Sequence, residues 1–156
     1  METLALSSTC RPSTLRVATS RATEFIDLTD RLEAVIDNAG ILFGFVNVQT
    51  LHTTTAIVLN EHEPLLLCDF AALLERAVPR GDYWHDDADA RTANLTPDER
   101  VNGHAHCRAL LLPSSICLNI VNGRLRLGRW QRVFFVELDG PREREVSVLA
   151  MGESVL

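Results

Sequence analysis

The sequence predicts an α+β fold, one domain with a mainly antiparallel sheet and about three helices. Three observations lead there. The chain has 156 residues, the size of one domain. Segments with strand periodicity outnumber those with helical periodicity. Most are joined by short turns such as Asn122-Gly123 and Asp139-Gly140-Pro141, as in antiparallel pairing. Hydrophobic residues make up 46%, enough for a packed core without covalent staples.

The elements follow in order. Residues 1–13 read as a disordered or extended arm, and residues 14–156 as the domain. Thr14 to Thr19 alternates like an edge strand. Leu28, Leu32, Val35 and Ile36 fall at helical spacing, with Asp27 or Thr29 as cap and Gly40 as stop. Ile41–Thr50 and Thr53–Leu59 read as consecutive strands. A second helix is predicted from Glu63 or Pro64 to Val78, with Pro64 in its first turn. It is apolar nearly all round and is expected to be heavily buried. Residues 79–101 form a long polar loop, a feature often tied to function. Val101, Ala105, Ala109 and Leu112 predict a third helix, ending at Pro113. Strands at Ile116–Ile120, Trp130–Leu138 and Glu145–Ala150 complete the chain.

Composition narrows the chemistry. All 15 basic residues are arginine, against 21 acidic ones, for a net charge of −6. Without lysine there is no Schiff base, lysine general base or Walker-type phosphate loop. Any phosphate met by a side-chain cation must meet arginine or a metal. The acidic balance argues against a nucleic-acid partner. Cys10, Cys68, Cys107 and Cys117 form no CxxC pair, and Cys68 and Cys117 lie in apolar runs as expected of buried free thiols. A reduced, cytoplasmic setting fits this usage. The N-terminal segment has Arg11, Arg16 and Arg21 but no apolar stretch of a signal peptide, and no run is long enough to span a bilayer, so no membrane partner is expected.

Polar residues cluster at the ends of apolar elements, where binding sites are commonly built. His52 precedes Thr53, Thr54 and Thr55, whose hydroxyls and backbone N–H groups suit an anion. Asn60-Glu61-His62 stands where a strand meets a helix, and Asp69 follows Glu61 by eight residues, roughly two turns. Placed among apolar neighbours, Asp69 is expected to need a partner. Tyr83 and His85 open the long loop. Asn102 leads into His104 and His106, which on a helix point about 200° apart, so that only one faces the site. Arg129, Trp130 and Gln131 offer a surface for stacking on a flat ring, though a tryptophan at a strand start is more often core. Glu137 shares a strand face with Val133 and Phe135 and needs a partner, for which Arg142 and Arg144 are nearest.

Taken in order, HTTTAIVLNE (52–61), Asp69, Tyr83 with His85, NGHAH (102–106), LGRWQ (127–131) and ELDGPRER (137–144) resemble the YjbQ family over about residues 14–152. The resemblance implies a small α+β domain assembling as a homotrimer. It also implies a weak, secondary thiamine-phosphate synthase activity, joining hydroxymethylpyrimidine diphosphate to thiazole phosphate. Three positions depart from many relatives: Arg129 where they have Thr, Cys107 where they have Leu, and Asp86 where they have Asn.

In this reading His52, Glu61, Asp69, His85 and His104 are the catalytic candidates. Thr53, Thr54, Asn60, Tyr83, Asn102, Arg129, Trp130, Gln131 and Arg142 are the ligand-binding ones. His52, His85, His104 and His106 are the candidate ligands of a divalent metal, Mg or Zn. The expected partner is a small phosphorylated metabolite. Two other readings use the same residues: a metal-dependent hydrolase of a small phosphorylated or cyclic substrate, and a non-enzymatic trimeric metabolite-binding module.

Overall fold

In a computed structural model that describes residues 6–155, the chain forms two antiparallel sheets and three helices. The strands are β1 (Leu6–Ala18), β2 (Glu24–Asp27), β3 (Ile41–Thr50), β4 (Thr55–Glu61), β5 (Ser115–Val121), β6 (Arg124–Leu125), β7 (Gln131–Glu137) and β8 (Glu143–Val155). The helices are α1 (Thr29–Ala39), α2 (Pro64–Ala77) and α3 (Gly103–Leu110). One sheet has the order β1-β8-β3-β5-β6 and the other β2-β7-β4. No helix among the described residues is long and apolar enough to cross a membrane.

The three-stranded sheet is buried on both sides, because β7 is apolar on both. Val133 and Phe135 join Ile57 in the main core, with Val46 and Val48 of β3, Val146 and Val148 of β8, and Leu32 and Ile36 of α1. Phe134 and Val136 face the other way, onto Leu74 of α2 and Ala105 of α3. Each such phenylalanine contributes roughly 1.5–3 kcal/mol by leaving water. A central strand therefore reads as an unbroken apolar run.

The local signals act much as the sequence suggests. The Asp27 carboxylate accepts the Thr29 N–H at 2.8 Å, and Gly40 ends α1 with φ of 66°. Glu63 accepts the Leu65 and Leu66 N–H groups at 3.0 and 2.7 Å, behind Pro64. Asn122 and Gly123 both take positive φ, 54° and 75°, as a two-residue hairpin needs.

Several expectations are corrected. β1 begins at Leu6 rather than Thr14, and pairs with β8 along its whole length. β8 likewise runs beyond Ala150 to Val155. β2 is an additional strand, paired to β7. Helix α2 is not heavily buried: only Leu74 is, while Leu65 is 74% exposed. Asp69 is exposed, so it has no desolvation to offset. Cys68 and Cys117 are also exposed, since each lies on an uncovered face of its element. Trp130 stands 60% exposed, outside the core.

Gly44 and Gly152 are paired across β3 and β8. A Cβ on Gly44 would lie 2.1 Å from the Met151 carbonyl oxygen, and one on Gly152 2.2 Å from that of Phe43. Backbone cannot yield as a side chain does. Gly44→Ala is expected to lower stability by about 3 kcal/mol or more. Gly40→Ala, which adds only left-handed strain, should cost about 1–2 kcal/mol. Urea unfolding of the two variants measures the difference, and equal midpoints would refute the close approach.

Candidate functional site

The β3–β4 turn, the β7–β8 turn and the start of α3 lie at one end of the two sheets. Register puts them there: Thr50 pairs with Val146 in one sheet and Thr55 with Glu137 in the other. The Thr50 and Thr55 hydroxyls hydrogen-bond each other across the gap.

Beneath these turns is a buried ion pair. Arg144 donates from Nε to Glu137 Oε2 and from Nη2 to Oε1, both at 2.7 Å. Glu137 is fully buried. Its Oε1 also accepts the Leu138 and Asp139 N–H groups, at 3.0 and 2.9 Å. The Thr19 hydroxyl lies 3.2 Å from Oε2. Arg144 further donates to the Thr54 hydroxyl at 3.0 Å. The sequence anticipates Arg142 or Arg144 as the partner of Glu137, and it is Arg144. Arg142 instead donates to Asp139 Oδ2 at 2.7 Å.

Above this layer is a cavity of about 260 Å³, lined by Leu51, His52, Thr53, Thr54, Asn102, His106, Asp139, Arg142 and Arg144. It adjoins a second hollow of about 370 Å³, which shares His52, Thr53 and His106 and continues along Ala109, Leu110 and Leu112. The His52 Nε2 accepts the Glu145 N–H at 2.9 Å. That lone pair is used, so the neutral ring carries its proton on Nδ1. Burial, aided by the Arg144 charge, pushes the His52 pKa down.

Of the two helical histidines, His106 lines the cavity. His104 is buried with its ring 6.4 Å from that of Tyr83 and is not among the residues lining the cavity. Burial also lowers both of their pKa values. The segment from Tyr83 to Asp86 is fastened over the start of α3. Asp86 Oδ1 accepts the N–H groups of Asn102 and Gly103, each at 2.9 Å. Gly103 has no room for a side chain, since a Cβ would lie 2.5 Å from that of Tyr83. The Tyr83 hydroxyl donates to the Pro79 carbonyl at 2.6 Å. The His85 ring lies 4.5 Å from that of His106.

The other candidates are elsewhere. β4 carries Asn60 and Glu61 to its far end, about 20 Å from Thr55. There Glu61 pairs with Gln131, and the Arg129 guanidinium lies 4.6 Å from the centre of the Trp130 ring. Gln131 accepts the Gly128 N–H at 2.8 Å. Asp69 sits on the exposed side of α2. Within one chain, then, Asn60, Glu61, Asp69, Arg129, Trp130 and Gln131 do not join His52. Asp139 lines the cavity although the sequence does not point to it as a ligand contact, and Arg144, offered by the sequence as a partner of Glu137, lines it too. The signal for Asp139 is its place in ELDGPRER, between Glu137 and Arg142.

The four histidines do not form a metal centre. His52 Nε2 is taken by a backbone N–H and His104 turns to Tyr83. Among the described residues no three His, Cys, Asp or Glu side chains gather for a metal ion.

The histidines make stability pH-dependent. In the unfolded chain each titrates near 6.5, while burial holds His52, His104 and His106 lower in the fold. The unfolded state then binds more protons as pH drops through 6.5, and stability falls. The urea midpoint is expected to be flat above pH 7.5 and to decline between pH 6.5 and 5.5. His104→Gln should shrink that decline, and an unchanged midpoint across the window would contradict the burial.

Comparison with known proteins agrees with this architecture. The family model described as UPF0047 protein YjbQ-like matches residues 13–153. A UPF0047 protein of Archaeoglobus fulgidus is 41% identical over 138 residues, 88% of this chain and 98% of that one. Another, of Methanothermobacter thermautotrophicus, is 39% identical over 140 residues, 89% and 90% of the two chains. A crystal structure of a YbjQ-like protein of unknown function from Sulfolobus solfataricus P2 superposes with a TM-score of 0.83 at 32% identity, over 94% of this chain and 99% of the other. A hypothetical protein from Aeropyrum pernix K1 superposes with a TM-score of 0.81 at 35% identity, over 91% and 98%. The chain belongs to the YjbQ-like UPF0047 family.

Proposed function

We propose that the cavity at the sheet end binds a small phosphorylated metabolite and that the protein condenses hydroxymethylpyrimidine diphosphate with thiazole phosphate. The observation that carries this reading is the lining of the cavity. Arg142 and the Nδ1–H of His52 offer donors to an anion, beside the hydroxyls of Thr53 and Thr54. Arg100, Arg142 and Arg144 stand against Glu137 and Asp139, leaving one positive charge in excess. A guanidinium is the cation best shaped for phosphate. The adjoining hollow has an apolar wall at Ala109, Leu110 and Leu112, suited to a flat ring.

In the reaction, the bond between the pyrimidine methylene carbon and the diphosphate oxygen breaks. Its electron pair leaves with diphosphate, and the thiazole nitrogen lone pair forms the new C–N bond. Negative charge grows on the leaving oxygen, where Arg142 and His52 Nδ1–H stabilise it. A neutral His52 can do this without giving up its proton.

A homotrimer is part of the proposal. Phe43 and Phe45 are 45% and 41% exposed on the outer face of the large sheet, opposite Val121 and Met151 on the neighbouring strands. An uncovered apolar patch of this kind marks an interface. The free cysteines fit a reducing compartment such as the cytoplasm.

The metal-dependent hydrolase draws no support from the donor arrangement. A non-enzymatic module is the reading to which binding without turnover would lead. Purified protein is expected to form thiamine phosphate from the two substrates. Arg142→Ala should reduce kcat/KM by about 10–100-fold, the loss of one charge-assisted contact. Formation no faster than in a His52→Ala control would overturn the synthase reading.

A further inference from the structure

One face of α3 joins the two hollows of the site. Asn102, His106, Ala109 and Leu110 fall at i, i+4, i+7 and i+8 along the helix and its cap, which sets them in one stripe. Asn102 lines the anion cavity. Ala109 and Leu110 line the apolar hollow beside it. His106 lines both, as do His52 and Thr53 of the β3–β4 turn. Along the helix it stands about 6 Å from Asn102 and about 6 Å from Leu110. Arg142 lines the anion cavity and not the hollow. A ligand with its phosphate at Arg142 and its ring at Leu110 therefore has the bond between the two at His106.

The two histidines at this junction are not equivalent. His52 Nε2 accepts the Glu145 N–H, so His52 has only a donor left to offer. His106 makes no side-chain hydrogen bond with a described residue, and neither of its ring nitrogens is sealed from solvent. A neutral ring so placed keeps a free lone pair at the junction. The condensation with thiazole phosphate does not use that lone pair, since the attacking nitrogen carries no proton. We propose that His106 is a general base, and that the cavity also hydrolyses diphosphate esters of arylmethyl alcohols by attack of water at carbon. The inference rests on the phosphorylated-metabolite reading and adds to it a second activity of the same site. A water lone pair forms the new C–O bond while the ester C–O bond breaks. The electron pair of the broken bond leaves with diphosphate, and the water proton passes to His106 and then to solvent. The phosphorus atoms lie toward Arg142, away from the base.

The test is incubation of hydroxymethylpyrimidine diphosphate with the full chain in water labelled with heavy oxygen, against a protein-free control. The wild type is expected to release the alcohol with the label on its hydroxyl, and diphosphate without it. With thiazole phosphate also present, His106→Gln should lower the ratio of alcohol to thiamine phosphate by about 100-fold, as loss of a general base does. Free imidazole should restore part of the hydrolysis in His106→Ala, a rescue that a purely structural role would not give. Label in the diphosphate would overturn the proposal, as would a product ratio unchanged in both His106 variants. Condensation without hydrolysis by the wild type would overturn this inference alone. Hydrolysis without condensation would overturn the synthase reading and leave the general base standing. Neither reaction above the control would overturn both.

Discussion

The Glu137–Arg144 pair is the interaction on which the site end of the molecule depends. Burying two charges is costly, and such a pair holds only when its geometry is good and the remaining polar atoms are met. Here both conditions are satisfied. The carboxylate takes two guanidinium N–H bonds and two backbone N–H bonds, with the Thr19 hydroxyl close by. These contacts come from the end of β1, the end of β7 and the start of β8, and Thr54 adds the β3–β4 turn. The pair thus joins the two sheets where their packed faces stop. Without it, the turns bearing His52, Asp139 and Arg142 would have only their own hydrogen bonds to fix their spacing.

The long loop between α2 and α3 answers to a similar logic on a smaller scale. Its residues are mostly exposed, so apolar burial does little for it. Arg91 bonds Glu99 at 2.7 Å and the Asn94 carbonyl at 3.0 Å. The Arg91 guanidinium holds the Glu99 carboxyl down at about 2. Asp87 accepts the Asp89 and Ala90 N–H groups, each at 3.1 Å. Arg100 reaches the Asp139 carbonyl at 3.1 Å, and Asp86 caps α3. Asp86 places an acidic side chain at a helix start, where it is favourable.

Much of the fold was legible because its signals are local. Gly40, Pro64 and Asn122-Gly123 each act through backbone geometry that the residue itself dictates. Burial was less legible, since it depends on what lies opposite. Leu65 and Leu73 are apolar on a helix whose outer side no described residue covers. Cys117 and Trp130 are exposed for the same reason. The site was legible in its motifs but not in its partition. HTTTAIVLNE reads as one motif, yet it is a strand with its two ends at opposite sides of a sheet. Its His52 end meets NGHAH and ELDGPRER, while its Glu61 end meets LGRWQ. Sequence order gives no sign of which end a motif serves; only the pairing of β4 with β7 decides it.

The absence of lysine takes on a structural meaning in this light. Arg108 is buried and bonds the Val78 carbonyl at 2.9 Å, the Thr23 hydroxyl at 3.4 Å and the Glu75 carboxylate, tying α3 to the end of α2. Arg132 bridges Asp27 and Asp30 at 2.6 and 2.9 Å. Arg144 holds a carboxylate and a hydroxyl at once. Each job uses several donors in a fixed planar array, which an ammonium on a flexible stem does not provide. Arginine is therefore a framework residue here before it is a ligand residue. Of the three guanidiniums around the cavity, Arg144 is committed to Glu137, and Arg100 is engaged with the Asp139 and Gly140 carbonyls. Arg142 shares only one strong contact, with Asp139, and is partly exposed. The same frame that fixes the cavity thus leaves one cation in it with donors to spare, and under the proposed function Arg142 is the group a phosphate would meet.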